Sequence, residues 1–176
     1  HVENWGDRGG GQNFQPDNVT VADDTASMKG LKAGTAILIS GGTITIDSAD
    51  DTLNSNESIL IQDGMLSLTA GDDGLHADTS ITINGGVLDI SQSYEGIESA
   101  LITINGGNLH IIASDDGINV AGGNDGSAIN GRPGQGQFTA GGDYFLYIND
   151  GYIYIDAAGD GLDSNGSVEM NGGTVL

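Results

Sequence analysis

The stretch Gly71-Asp72-Asp73-Gly74-Leu75-His76 predicts the fold, because a related acidic turn recurs on both sides of it. The other copies are Asp50-Asp51-Thr52-Leu53, Tyr94-Glu95-Gly96-Ile97, Asp115-Asp116-Gly117-Ile118 and Gly159-Asp160-Gly161-Leu162. The acidic positions 51, 73, 95 and 116 are separated by 22, 22 and 21 residues, and the copy at 160 follows after 44. A short repeat at a constant interval is typical of a solenoid, in which each repeat buries its apolar face against its neighbours.

Between the acidic turns, each repeat contains two short segments in which aliphatic and polar residues alternate, and this alternation predicts β-strands. Aligned at the turn, the repeats form five aliphatic columns. One column contains Ile37, Ile59, Ile81, Ile102, Leu146 and Val168. We therefore predict an all-β, right-handed parallel β-helix, a three-faced solenoid with about 22 residues per coil, the hand being that of nearly all parallel crossovers.

The bend between the two strands has a glycine in every repeat. These glycines are Gly42, Gly64, Gly86, Gly107, Gly151 and Gly173. A shared glycine indicates a positive φ angle. Two positions earlier stand Ser40, Gln62, Asn84, Asn105, Asn149 and Asn171. Stacked polar side chains at a turn can bond to one another, so we expect a hydrogen-bonded ladder there.

The repeat pattern divides the chain into two regions. Residues 1–33 are predicted to form an N-terminal cap and an irregular first coil, with Asp23-Asp24-Thr25 as a candidate degenerate copy of the turn. Residues 34–176 are predicted to form the β-helix, with a polar, glycine-rich insertion at about 121–143 that is either a binding loop or a tolerated excursion. The chain stops within a predicted strand, so we expect a missing C-terminal segment or a second chain to cover the last coil.

The charge of the chain limits its partners. It contains 25 acidic and four basic residues, for a formal net charge of −21. Such a surface repels nucleic acid and anionic membranes. The sequence also has no apolar run long enough to cross a membrane, so membrane insertion is not expected.

The acidic turns predict a metal. Carboxylates about 4.8 Å apart repel by roughly 3.5 kcal/mol at an effective dielectric of about 20, so either some are protonated or cations lie between the coils. Carboxylate and amide oxygens are the ligands that Ca²⁺ takes. We therefore expect several Ca²⁺ ions, and a solvated acidic edge is the alternative. The candidate ligands are Asp50, Asp51, Asn54, Asp72, Asp73, Glu95, Glu98, Asp115, Asp116, Asn119, Asp160 and Asp163.

The recurring Gly-Gly-x-Leu-x-Ile and Asp-Asp-Gly-Leu units resemble those of a known family. They are similar to units of secreted bacterial calcium-binding β-helical carbohydrate-binding domains, whose fold is similar to that of the family 9 polysaccharide lyases that cleave pectate. The resemblance covers about residues 23–176. It implies a secreted or cell-surface protein with several Ca²⁺ sites that binds plant cell-wall polysaccharide, namely acidic pectic chains such as polygalacturonate, or cellulose.

The resemblance also raises the alternative of an enzyme. Pectate lyases use a Lys or Arg beside the calcium to remove a proton. Residues 33–131 contain neither, which leaves Arg132 in the insertion or a residue of the expected C-terminal segment as the base. A non-catalytic binding protein is therefore favoured over a calcium-dependent lyase. A structural or adhesive surface module stapled by calcium is a second alternative.

Candidate carbohydrate-binding residues follow from the same pattern. Alternation along the strand directs Tyr147, Tyr152 and Tyr154 outward, where their rings could stack on sugars, as could Tyr94. Arg132 is a further candidate. Exposed Ca²⁺ ions would bridge protein carboxylates to uronate carboxylates and so offset the repulsion between two acidic polymers.

Overall fold

The computed structural model describes residues 28–121 and 144–176, which form β-strands and no helix. The strands are β1 (Leu31–Ala33), β2 (Ala36–Ile39), β3 (Thr43–Ser48), β4 (Leu53–Ser55), β5 (Ser58–Ile61), β6 (Met65–Ala70), β7 (Leu75–Ile83), β8 (Val87–Gln92), β9 (Ile97–Ile104), β10 (Asn108–Ala113), β11 (Ile118–Val120), β12 (Phe145–Ile148), β13 (Tyr152–Ala157), β14 (Leu162–Ser164), β15 (Ser167–Met170) and β16 (Thr174–Val175). Within these ranges no segment qualifies as a membrane-spanning helix.

The strands form three parallel stacks along one axis. The first stack is β1-β4-β7-β9-β11-β14, the second is β2-β5-β7-β9-β12-β15, and the third is β3-β6-β8-β10-β13-β16. Strands β7 and β9 run through the first two stacks, which therefore merge into one ten-stranded sheet, and the third stack is a separate six-stranded sheet. These stacks confirm the prediction of an all-β parallel solenoid with about 22 residues per turn.

The predicted aliphatic columns are the core. In the second stack Ile59 pairs with Ile81 and Ile81 with Ile102, and all three are buried. Each buried isoleucine stabilises the fold by roughly 1.5–3 kcal/mol relative to an exposed one. The column is less protected in the last coil, where Val168 is 49% exposed.

The bends also match the predictions. All six predicted glycines have a positive φ, between 83° at Gly173 and 133° at Gly64. The ladder is confirmed for its asparagines: the side-chain amide of Asn105 donates to Asn84 at 2.8 Å, that of Asn149 to Asn105 at 2.8 Å, and that of Asn171 to Asn149 at 2.9 Å. The ladder ties successive coils together at the bend between the second and third stacks.

The repeat of 21 residues is accommodated by a shift in register between β7 and β9. Ala77 pairs with Ser99, but Ser80 pairs with Leu101, so one residue of β7 has no counterpart in β9. The shift lies where the two merged stacks meet, and the aliphatic columns on either side keep their alignment.

The first coil begins before residue 34. Leu31 pairs with Leu53, and the backbone N–H of Gly30 donates to the carbonyl of Asp51. The register therefore places Lys29 opposite Asp51. The predicted copy at Asp23-Asp24-Thr25 lies outside the described residues, as does nearly all of the insertion predicted at about 121–143.

Candidate metal and carbohydrate sites

The acidic turns lie in a row between the third stack and the first, and glycine allows them to stack closely. A Cβ atom on Gly96 would lie 2.3 Å from the carbonyl oxygen of Gly117 and 2.3 Å from the side chain of Ile111. Gly74 and Gly117 are similarly crowded by the coil that follows each of them. Contact between coils thus favours glycine at positions 74, 96 and 117, whereas the first turn has Thr52 and the last turn has the uncrowded Gly161 at the same position.

The carboxylates of this row accept hydrogen bonds from the backbone of the next coil. Oδ1 of Asp51 accepts from the N–H of Asp73 at 3.2 Å, and Oδ1 of Asp73 accepts from the N–H of Glu95 at 3.3 Å. Oδ1 of Asp116 accepts from the N–H of Asp160 at 2.7 Å. Hydrogen bonds to a charged acceptor are stronger than those between neutral groups, so these side chains also hold neighbouring turns together. The spacing of the acidic turns in the sequence does not indicate this role.

At the N-terminal end of the row, the chain supplies its own cation. Nζ of Lys29 lies 2.5 Å from Oδ2 of Asp51 and 3.2 Å from Oδ1 of Asp50. Burial would lower the pKa of the Lys29 ammonium group, but the hydrogen bonds and charges of Asp51 and Asp50 outweigh burial and raise it. The side-chain amide of Asn54 donates to the same Oδ2 of Asp51 at 2.7 Å. The buried Asp51 is therefore neutralised and hydrogen-bonded within the protein.

In the middle of the row, His76 lies among three carboxylates. Its Nδ1 is 2.9 Å from Oε2 of Glu98 and 3.3 Å from Oδ2 of Asp73, and its Nε2 is 3.3 Å from Oδ1 of Asp78. A neutral imidazole has one N–H, so only the protonated ring donates toward carboxylates on both sides. Burial would lower the pKa of His76, but the hydrogen bonds and charges of Asp73 and Glu98 outweigh it and raise the pKa to about 11.

Asp73 itself is 3% exposed, and this burial is the main cause that raises its pKa. The hydrogen bond with His76 opposes the rise, while the charges of Glu98 and Asp51 add to it. Burial and the neighbouring charges therefore favour retention of a proton between Asp73 and His76. This group needs a positive charge among its carboxylates, whether a proton or a metal ion.

Further along the row, acceptor oxygens outnumber their donors. The side-chain amide of Asn119 donates to Oε1 of Glu95 at 2.9 Å, but Oε2 of Glu95 and Oδ1 of Asn119 are buried without a partner among the described residues. Burial and the charge of Glu98 raise the pKa of Glu95 to about 8, against the hydrogen bond from Asn119. Burial, with the charges of Asp115, Asp163 and Asp160, likewise raises the pKa of Asp116, against the hydrogen bond from the Asp160 backbone.

The predicted metal ligands therefore fall into three groups. Asp50, Asp51 and Asp72 have carboxylate oxygens within 4.8 Å of one another, beside Lys29. Asp73 and Glu98 form a second such group with His76. Glu95, Asn119 and the acids around Asp116 form the third, in which one oxygen of Glu95 and one of Asn119 are buried without a partner among the described residues. Oxygen is the ligand atom that Ca²⁺ prefers.

The predicted tyrosines lie on three different surfaces. Tyr152 and Tyr154 project from the third stack, and Tyr152 is 46% exposed. Tyr147 lies on the second stack, where its ring stacks on Phe145 with centroids 5.7 Å apart. Burial raises the pKa of Tyr94 above its usual value, and so does the hydrogen bond with Asp115, so this hydroxyl belongs to the acidic row. Arg132 lies outside the described residues.

The outward face of the third stack carries further exposed groups. Met65 is 60% exposed and Val87 is also exposed. They line a groove of about 240 Å³ together with Thr43, Ile44, Leu66, Ser67 and Asp89. We did not single out Met65 and Val87 from the sequence, although each is an apolar residue at an outward position of a predicted strand.

Three side chains from successive coils are linked beside this groove. Nδ1 of His110 lies 2.8 Å from Oδ1 of Asp89, and the His110 ring stacks on the Tyr154 ring with centroids 5.1 Å apart. The alignment places the three in one row, because His110 pairs with both Asp89 and Tyr154 in the register. The face thus presents exposed apolar groups next to an ordered row of polar and aromatic groups.

Comparison with known proteins identifies a family. The model of a family described as carbohydrate-binding domain-containing protein matches residues 7–74 and residues 72–117, which together are more than half of the 176 residues. No curated protein and no solved structure gives a significant match. The chain belongs to the family of carbohydrate-binding domain-containing proteins.

Proposed function

We propose that this chain is a non-catalytic module of a secreted or cell-surface protein that binds plant cell-wall polysaccharide with the help of Ca²⁺. Membership of a carbohydrate-binding family supports the ligand class. The observation that supports a position for the ligand is the exposed face of the third stack, with Met65 and Val87 over a groove and Tyr152 and Tyr154 beside it.

The chemistry of this face suits a sugar chain. A pyranose ring has apolar C–H faces and polar hydroxyl edges. The C–H faces can contact the exposed apolar side chains, and the hydroxyl edges can hydrogen-bond to Thr43, Ser67 and Asp89. Each coil contributes one side chain to each row, about 4.8 Å from the next. A polymer along the axis would therefore meet repeated contacts, and weak contacts add up along such a ligand.

Calcium would add binding of acidic chains at the neighbouring edge. The strands of the third stack end just before the acidic turns, as β10 ends at Ala113 two residues before Asp115. A protein with a net charge of −21 repels polygalacturonate unless cations intervene. We infer that Ca²⁺ held by Glu95, Asn119 and Asp116 supplies that charge, because two unpartnered oxygens point to a cation there.

The three groups of acids are not equally suited to Ca²⁺. The first group of acids already has Lys29 within salt-bridge distance, and the second includes the nitrogen ligand of His76, which Ca²⁺ does not favour. The third group consists of oxygen ligands, so it is the best candidate for Ca²⁺. Its occupation would bridge the coils that contain Glu95 and Asp116.

Affinity gel electrophoresis of single variants tests where the sugar binds. Tyr152→Ala and Tyr154→Ala should each weaken retardation by a soluble cellulose derivative by about fivefold or more, since one aromatic contact is typically worth about 1 kcal/mol or more. Tyr147→Ala is the matched control, because Tyr147 lies on another stack. Equal effects of all three variants, or no effect of the first two, would contradict the position of the site.

A further inference from the structure

His76 differs in chemistry from the residues stacked with it. Register pairs place Asn54, His76, Glu98, Asn119 and Asp163 in one row, and all except His76 offer only oxygen as a metal ligand. We propose that Asp73, His76 and Glu98 bind one divalent cation of the zinc class through Nδ1 of His76 and one carboxylate oxygen from each acid. This inference goes beyond the proposed function, because the ion and its ligands differ from those of the calcium site.

The distances between the ligand atoms suit a single ion. Nδ1 of His76 lies 2.9 Å from Oε2 of Glu98 and 3.3 Å from Oδ2 of Asp73, and the three atoms lie within 4.8 Å of one another. Nitrogen and oxygen ligands bind Zn²⁺ at about 2.0–2.2 Å, so ligands of one ion stand roughly 3–3.5 Å apart. Only small adjustments would centre an ion among them.

The other atoms of these side chains are held in place. Oδ1 of Asp73 accepts the N–H of Glu95, which leaves Oδ2 facing His76. Nε2 of His76 lies 3.3 Å from Oδ1 of Asp78. A metal-binding histidine commonly donates its second N–H to a carboxylate, which fixes the ring and increases its basicity. Asp78 is therefore the orienting residue of this arrangement.

The cluster is shielded from solvent. Asp73 and His76 are each 3% exposed, so little water reaches the cluster. Low exposure strengthens the attraction between the carboxylates and a cation.

The mixed ligand set decides the class of metal. Ca²⁺ and Mg²⁺ take oxygen ligands, whereas imidazole with carboxylates suits Zn²⁺ and its neighbours in the first transition series. Binding would replace the imidazolium proton as the positive charge between Asp73 and Glu98, and the proton would be released to solvent. The ion would join two successive coils, because His76 and Glu98 are register partners.

Titration of the metal-stripped protein with Zn²⁺, followed by calorimetry, tests the site. The wild-type protein should bind one Zn²⁺ that His76→Asn does not bind, at least about tenfold more tightly than it binds Ca²⁺ at the same group. Asparagine is the residue that the chain has at positions 54 and 119 of the same row, so the substitution preserves a side chain that this fold accommodates. His110→Asn, which removes an exposed histidine next to a carboxylate, should leave Zn²⁺ binding unchanged.

Cobalt provides a second measurement that does not depend on the folding of the variant. Co²⁺ bound to wild-type protein should give a visible absorption band and a paramagnetically shifted imidazole proton resonance, and His110→Asn should retain both. Equal Zn²⁺ binding by His76→Asn, or Co²⁺ without an imidazole signal, would overturn the proposal. Measurement of glycan binding by the His76→Asn protein tests the proposed function separately from the zinc site.

Discussion

Lys29 stands one coil before Asp51 in the acidic row, and its Nζ lies 2.5 Å from Oδ2 of that buried carboxylate. Among residues 28–121 and 144–176 the row thus begins with a lysine, which neutralises the first acid described. Because Asp51 also accepts from Asn54 and from the backbone of Asp73, its charge is fully hydrogen-bonded inside the protein. A structural cation and the predicted metal ligands therefore belong to the same row.

Removal of this lysine should destabilise the protein strongly. Lys29→Met leaves the Asp51 carboxylate buried without its cation, and the loss of one partner of a buried ion pair costs about 3–5 kcal/mol. Urea unfolding at pH 7 measures the change in the free energy of unfolding. Lys32→Met is the control, since Lys32 is exposed and should change stability by less than about 0.5 kcal/mol.

A second substitution separates charge from packing. If the buried charge is the cause, Lys29→Met combined with Asp51→Asn should recover much of the lost stability. The account is contradicted if the double variant is as unstable as Lys29→Met alone.

The glycine of the acidic turn can be tested by the same substitution at a crowded and at an uncrowded position. Gly96→Ala places a Cβ atom 2.3 Å from backbone and side-chain atoms of the next coil and should lower the free energy of unfolding by about 1–3 kcal/mol or more. Gly161→Ala changes the same position of the last repeat, where no atom lies within 4 Å, and should have little effect. Similar melting temperatures for the two variants would argue against close contact between coils as the reason for the motif.

The raised pKa of Glu95 predicts how stability depends on pH in the absence of divalent ions. The pKa of about 8 in the folded protein exceeds the unfolded value near 4.5, so the folded state binds the extra proton between these values. The stabilising contribution of this group is therefore largest below about pH 4.5. As the pH rises from there to about 8, the free energy of unfolding falls by up to about 1.4 kcal/mol per pH unit.

Urea unfolding of the metal-free protein at several pH values between 5 and 8 measures this slope. Glu95→Gln cannot ionise, so its stability should fall less steeply over the same range. Calcium should stabilise the wild-type protein more at pH 8 than at pH 5, because ionised Glu95 is the better ligand. A wild-type slope equal to that of the variant would show that burial of Glu95 does not control the pH dependence.

The core could be predicted from the sequence because it depends on local order. Alternation sets which side chains of a strand point inward, and a constant repeat length stacks the same position of every coil. The column that runs from Ile37 to Val168 and the asparagine ladder at Asn105 follow from these two rules. The glycine bends follow too, because a positive φ excludes most other residues.

The groups that neutralise the buried carboxylates could not be predicted in the same way. An alignment of the repeats on their acidic residues omits Lys29, because a lysine at an acidic position does not match the repeat. Spacing places His76 beside the acids, but the orientation of its ring between Glu98 and Asp78 depends on side-chain packing in three dimensions. Likewise, alternation directs a tyrosine outward but does not say which of three faces it joins, as Tyr147 and Tyr152 show.

The most direct test of the central claim is a calorimetric titration of metal-stripped protein with Ca²⁺, followed by oligogalacturonate with and without the ion. The account predicts Ca²⁺ binding that Glu95→Gln weakens, and oligogalacturonate binding that appears only when Ca²⁺ is present. Binding of oligogalacturonate that is equally tight in a chelator would contradict the calcium bridge. No binding of any cell-wall polysaccharide under either condition would contradict the proposed function itself.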